Sequence, residues 1–168
     1  MRHIISILLE NQAGALARVA NLFSTRGYNI ESLNVAPTDN EAVSRLTVVT
    51  TGSEEVINQI SRQLGKLVDV VSIVDMTGKD HIERELALFK VLTPASGRAK
   101  LATLLDEFGG HVLGYDEGHG TVELVGNGRE IDDFMDELAD FSEIESVVRS
   151  GAMAMARGAP VLETNLDD

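Results

Sequence analysis

The chain has 168 residues, 43% of them apolar and 24% charged, with no cysteine and a net charge of −13. That composition describes one medium or two small globular domains and excludes disulfides and thiol chemistry. A strongly acidic surface argues against a nucleic-acid partner, whose phosphates need Lys and Arg. The longest apolar run, Ile4 to Leu9, is broken by Ser6 and is far too short to span a bilayer. Arg2 and His3 lead straight into an alternating strand, without the apolar core and cleavage site of a signal peptide. A reducing cytoplasm is therefore the expected location.

The charge is uneven. Residues 1–78 hold eight acids and six bases, a net of −2, and residues 79–168 hold nineteen acids and eight bases, a net of −11. Solubility, a docking face for a basic partner and adaptation to a saline cytoplasm all fit the acidic half, and the sequence does not choose among them.

His3–Glu10 reads as the first strand. Ala15–Thr25 is a helix, with Leu16, Val19, Ala20 and Phe23 at helical spacing. Asn29–Pro37 is extended and ends at the turn Thr38-Asp39-Asn40, and Val43–Thr50 is a second strand rich in β-branched residues. Ser53–Gly65 is a helix capped by Ser53, with Glu54 and Glu55 at its positive end and Val56, Ile57, Ile60 and Leu64 inward. Val68–Met76 is a nearly continuous apolar run, the pattern of a strand buried within a sheet. Thr77-Gly78-Lys79-Asp80 reads as a linker.

The same order then recurs. Glu83–Leu92 is a strand and Gly97–Phe108 a helix with Leu101, Leu104, Leu105 and Phe108 inward. Gly110–Tyr115 and Thr121–Val125 form a hairpin around Asp116–Gly120. Asn127 to Glu130 resembles a capping box opening a helix that buries Ile131, Phe134, Met135 and Leu138. Ile144–Arg149 closes the unit. Two βαββαβ units imply an α+β fold of two ferredoxin-like domains, residues 1–78 and 79–158, with 159–168 a flexible tail. Each such sheet leaves edge strands exposed, so a homodimer is expected.

The most informative stretch is Leu9-Glu10-Asn11-Gln12-Ala13-Gly14-Ala15-Leu16-Ala17-Arg18, followed by Arg26-Gly27-Tyr28-Asn29-Ile30-Glu31-Ser32-Leu33. A strand runs through a short polar turn directly into a helix, whose first N–H groups suit a carboxylate. Asn11 and Asn29 offer amides that donate and accept. Leu16, Ile30 and Val35 could shape an apolar pocket, and Gly14 would let a ligand lie against the backbone. The blander alternative is that both asparagines only cap and turn the chain. Arg18 and Arg26 read as solvated helix residues, with a bridge to a partner as the alternative, and Met153 and Met155 as packing residues. His111, Asp116 and His119 share a hairpin but do not form a convincing metal site. No nucleophile elbow or glycine-rich phosphate loop is present.

These residues carry a resemblance. The first half resembles an ACT domain, and Leu8 to Arg18, Arg26 to Leu33, Ala36-Pro37-Thr38 and Gln63 to Val70 strongly resemble the small regulatory subunit of acetolactate (acetohydroxyacid) synthase. Arg84 to Leu88 and Val148 to Gly151 are similar to segments of that family. The resemblance implies a non-catalytic subunit that activates a catalytic subunit and confers feedback inhibition, by valine or another branched-chain amino acid. The partner would hold thiamine diphosphate, magnesium and FAD, and this chain no cofactor. The implied effector contacts are Asn11, the backbone of Ala13, Gly14, Ala15 and Leu16, and Asn29 with Ile30, at the interface of two ACT units. The alternative is a free-standing ACT-type amino-acid sensor acting on another enzyme or a transcription regulator. An autonomous enzyme would need an acid, base or nucleophile constellation, and none is visible.

Overall fold

The computed structural model describes residues 1–159 and 162. Its elements are β1 (Arg2–Glu10), α1 (Ala15–Thr25), β2 (Ile30–Pro37), β3 (Val43–Thr51), α2 (Glu54–Leu64), β4 (Val70–Asp75), β5 (His81–Leu92), α3 (Arg98–Phe108), β6 (His111–Asp116), β7 (His119–Gly126), α4 (Gly128–Ala139), β8 (Glu143–Arg149) and β9 (Met153–Ala156). The fold is the expected α+β one. The first βαββαβ unit forms a four-stranded antiparallel sheet ordered β2-β3-β1-β4; the other sheet runs β6-β7-β5-β8 and gains a fifth strand because β9 also pairs with β5.

In the first unit the alternation of β1 decides both faces. Ile5, Ile7 and Leu9 pack with Val19 and Phe23 of α1 and Ile57, Ile60 and Leu64 of α2. The helices follow from local signals. Ser53 accepts from Val56 N–H at 3.4 Å to cap α2. The opposite face carries Ile4, Leu8, Val43, Val49 and Met76, all buried. Ala152, Ala154 and Leu162 cover it.

That cover bears on how the chain divides. The chain separates into one unit of residues 1–82 plus the described residues from Ala152 on, and a second of Glu83–Gly151. By contacts, the described residues from Ala152 on thus group with the first unit. The reason is hydrophobic: the free face of the first sheet is apolar, and the chain returns to bury it. Arg157 N–H donates to Asp80 O at 3.0 Å where the chain returns. Ala152 and Ala154 do the packing, while Met153 and Met155 point outward, contrary to the reading of them as packing residues. Of the expected flexible tail, residues 160, 161 and 163–168 lie outside the described residues.

β4 also differs from its sequence reading. It is an edge strand, shorter than the apolar run, and Val68 is fully outside it and exposed. Its apolar residues reflect two covered faces: Val70 and Ile73 pack toward the helices, Val71 and Val74 toward the returning chain.

In the second unit Ala87, Phe89 and Val91 of β5 and Val122 and Leu124 of β7 pack beneath α3 and α4. Phe134 stacks at 5.2 Å from Phe89 and 5.5 Å from Phe108. The Asn127–Glu130 capping box forms as its spacing predicts. Arg149 of β8 donates to both carboxylate oxygens of buried Glu85, at 2.8 and 3.0 Å, and to Asp132 of α4 at 2.7 Å. Hydrogen bonding to Glu85, above all, raises the already high Arg149 pKa. No helix of the described residues is long and apolar enough to cross a membrane.

Candidate functional site

The turn after β1 is pinned on both flanks. Glu10 N–H donates to Asp69 O at 2.8 Å, and Asn11 N–H to Ala42 O at 2.7 Å. The Asn11 side-chain Nδ2 donates to Glu41 O at 2.9 Å, which leaves its Oδ1 as the unused acceptor. Gly14 then takes φ +87°, a left-handed conformation suited to glycine, and starts α1 with no side-chain cap.

Ala15 N–H donates to Gln12 O and Arg18 N–H to Gly14 O. Among the described residues, the N–H groups of Ala13, Gly14, Leu16 and Ala17 have no acceptor. No acid stands in the first turn of α1, so the positive end of the helix is uncompensated. Asn11, Ala13 and Gly14 are exposed, Leu16 is 38% exposed, and Ala15 is buried and anchors the turn. The turn is a surface that can accept an anion. Its free donors flank Ala15, whose own N–H is used internally.

Asn29 is exposed, and its backbone O accepts from Thr50 Oγ1 at 2.6 Å. Ile30 is half-buried against the helix-side core and pairs with Thr50, which pairs with His3. Asn11 follows Glu10, which pairs with Val43. Thr50 and Val43 are seven residues apart on β3, roughly 23 Å at about 3.3 Å per residue. One chain therefore places the Asn11 turn and Asn29 at opposite ends of the same sheet and does not bring the predicted set together.

The Arg18 side chain is 46% exposed but also ion-paired. Its Nε and Nη2 donate to the two carboxylate oxygens of Asp69 at 2.5 and 2.7 Å. Asp69 is 4% exposed, and the hydrogen bonds from Arg18 hold its carboxyl below the ordinary 3.8, against the opposing effect of burial. Sequence reading missed this pair. The available signal was Asp69 itself, a lone acid within the apolar run Leu67-Val68-Asp69-Val70-Val71, since a buried acid needs a cation.

An open cleft of about 450 Å³ in the second unit, lined by Arg84, Glu107, Phe108, Val125 and Glu130, includes none of the predicted residues. Among the described residues, no group of three or more His, Cys, Asp or Glu side chains could hold a metal ion.

The fold and the turn together define a class: an ACT-type unit carrying a second α+β unit. Residues 5–72 match the family described as AHAS small subunit-like ACT domain, and residues 84–158 match the small subunit of acetolactate synthase. The chain belongs to the acetolactate synthase small-subunit family. It is 43% identical to the acetolactate synthase isozyme 3 small subunit of Salmonella typhimurium, over 96% of this chain and 99% of that one. It is 35% identical to a probable acetolactate synthase small subunit of Archaeoglobus fulgidus, over 94% and 98%. The crystal structure of the acetolactate synthase small subunit from Thermotoga maritima superposes with a TM-score of 0.84 at 30% identity, covering 95% of this chain and 99% of that one. Family membership and the ACT domain imply a regulatory role.

Proposed function

We propose that this chain is the non-catalytic regulatory subunit of a cytoplasmic acetolactate synthase. It activates the catalytic subunit and makes it sensitive to a branched-chain amino acid, with valine as the first candidate. Thiamine diphosphate, magnesium and FAD would be held by that catalytic partner and no cofactor by this chain. The carrying observation is the uncapped turn before α1, with its unpaired N–H groups, in a chain of this family.

Valine offers a carboxylate, an ammonium and a branched apolar side chain. The free N–H groups around Gly14 and Leu16 suit the carboxylate. Asn11 Oδ1 and the Asn29 side-chain oxygen suit the ammonium. Leu16, Ile30 and Val35 suit the side chain.

Two copies are needed to unite these groups. β2 is an exposed edge strand. Antiparallel pairing of two copies of β2 about its midpoint sets Ile30 of one copy near Pro37 of the other. Pro37 pairs with Ser44, at the Asn11 end of the sheet. A homodimer of this kind places Asn29 of one copy beside the Asn11 turn of the next, and closes two unpaired edges at once. The effector then acts by binding one arrangement of the dimer more tightly than another, because equal affinity would shift nothing.

The test is reconstitution. This chain should co-purify with a large thiamine-diphosphate enzyme, raise its rate of acetolactate formation, and make it inhibitable by valine, leucine or isoleucine. Titration calorimetry of the isolated chain should show saturable valine binding that disappears in Asn11→Ala. Absence of the large enzyme from the pull-down would favour a free-standing sensor. Inhibition unchanged by Asn11→Ala would refute the site assignment.

A further inference from the structure

We propose that Arg18 and Asp69 are positioning residues of the effector site, fixing the backbone of the turn from Asn11 to Leu16. The inference rests on the effector reading above. Three observations carry it.

First, Asp69 holds the turn from both sides. Its backbone O accepts from Glu10 N–H at 2.8 Å, where the chain leaves β1. Its carboxylate binds Arg18 in the first turns of α1, where the chain departs on the far side. Arg18 N–H closes the loop by donating to Gly14 O at 3.0 Å. Glu10, Asp69, Arg18 and Gly14 thus form a ring around the residues that present the free N–H groups.

Second, the clamp is rigid. Asp69 is buried, and its two oxygens meet two nitrogens of one planar guanidinium, a geometry that fixes orientation as well as distance. The guanidinium also lies along Gly14: a Cβ on Gly14 would stand 3.0 Å from Arg18 Nη1. The left-handed φ favours glycine at this position, and a Cβ would crowd Arg18 as well, before any ligand is considered.

Third, α1 has no side-chain cap of its own, a feature it shares with α3. The α2 and α4 helices carry their own caps, Ser53 and the Asn127–Glu130 box. The α1 helix has neither a side-chain cap nor an acid in its first turn. Its start is held by Asp69 on one side and by the bonds of Asn11 to Ala42 and Glu41 on the other, which leaves the N–H groups unoccupied.

The decisive experiment uses the reconstituted holoenzyme and reads two quantities, the half-inhibitory valine concentration and the melting midpoint of the regulatory chain. Arg18→Gln and Asp69→Asn should each raise the half-inhibitory concentration roughly tenfold to a hundredfold, the range expected when a hydrogen bond to a charged group is lost. Arg18→Lys should recover little of the sensitivity, because an ammonium restores the charge without the two-point geometry. The double variant Arg18→Met with Asp69→Leu removes the buried charge altogether and should recover the melting midpoint. It should stay insensitive to valine. Recovery of sensitivity together with stability would make the pair a purely structural brace and overturn the inference. So would full rescue by Arg18→Lys, or single variants within about twofold of the unaltered chain. If the unaltered holoenzyme resists every branched-chain amino acid, the effector reading itself falls and takes this inference with it. In the other negative outcomes the effector reading stands.

Discussion

In the first unit, Ile4, Leu8 and Val49 face away from the helices yet are buried, beneath Ala152, Ala154 and Leu162. In the second unit the corresponding face carries Leu86, Val125 and Val148 at 36, 51 and 62% exposure. The element order is the same, but one sheet is covered on both sides and the other on one. Charge is uneven between the units too: residues 83–151 hold fifteen acids and six bases, a net of −9, and the rest of the chain a net of −4. Both faces of β1, the strand that leads into the Asn11 turn, are therefore buried. The open face of the second unit holds leucine, valine, Lys90 and Thr121, the last two joined at 2.6 Å. An identical topology therefore does not imply an identical core, and the last residues of the chain make the difference.

The largest expected effect attacks the cover. Ala154→Glu places a carboxylate under the first sheet and should cost about 3 kcal/mol of stability, seen as a lower urea midpoint at unchanged slope. A change below about 0.5 kcal/mol, the range of ordinary surface substitutions, would show that the cover is dispensable.

Next comes the second unit's own buried acid. Arg149→Ala leaves Glu85 without its partner. The cost should be about 2–3 kcal/mol, less than for a fully enclosed pair because Arg149 still reaches solvent. Arg149→Ala with Glu85→Gln should recover most of it in the same unfolding assay.

A smaller effect is pH-dependent and belongs to the first unit. The Asp69 carboxyl is held below 3.8 by Arg18. A depressed carboxyl stabilises the fold fully above its unfolded value, and that contribution is lost as pH falls through the folded one. The melting midpoint should therefore be flat above roughly pH 5 and decline below about pH 4. Asp69→Asn should flatten that acid limb. An unchanged limb would assign acid sensitivity elsewhere.

The smallest effect sharpens the contrast. Val148→Glu, on the open face, should change stability by less than about 0.5 kcal/mol. A loss as large as that of Ala154→Glu would mean that the open face is covered in solution.

Much of this was legible in the sequence. The alternation in β1, the helical spacing in α1 and α2, the Ser53 cap and the Asn127–Glu130 box are local signals, and each predicted element formed within a residue or two of its span, while β9 was not predicted. The turn at Gly14 was equally readable, since strand, polar turn and helix follow one another without a gap. The partner of Arg18 was not legible, because an amphipathic helix pattern cannot reveal an acid 51 residues away. The methionines at 153 and 155 were misread because hydrophobicity alone does not say which side of a short strand faces the sheet.

Sequence by itself thus determined the order of β1 to β8 and their helices, the α+β class, the family resemblance and the uncapped turn before α1, because all of these depend on spacing along the chain. Tertiary structure decided the rest. It placed Asn11 and Asn29 at opposite ends of one sheet, paired Arg18 with Asp69, and brought Ala152, Ala154 and Leu162 back beneath β1. Those outcomes depend on strand register and on which apolar face remains to be buried, and both are set only when distant segments pack.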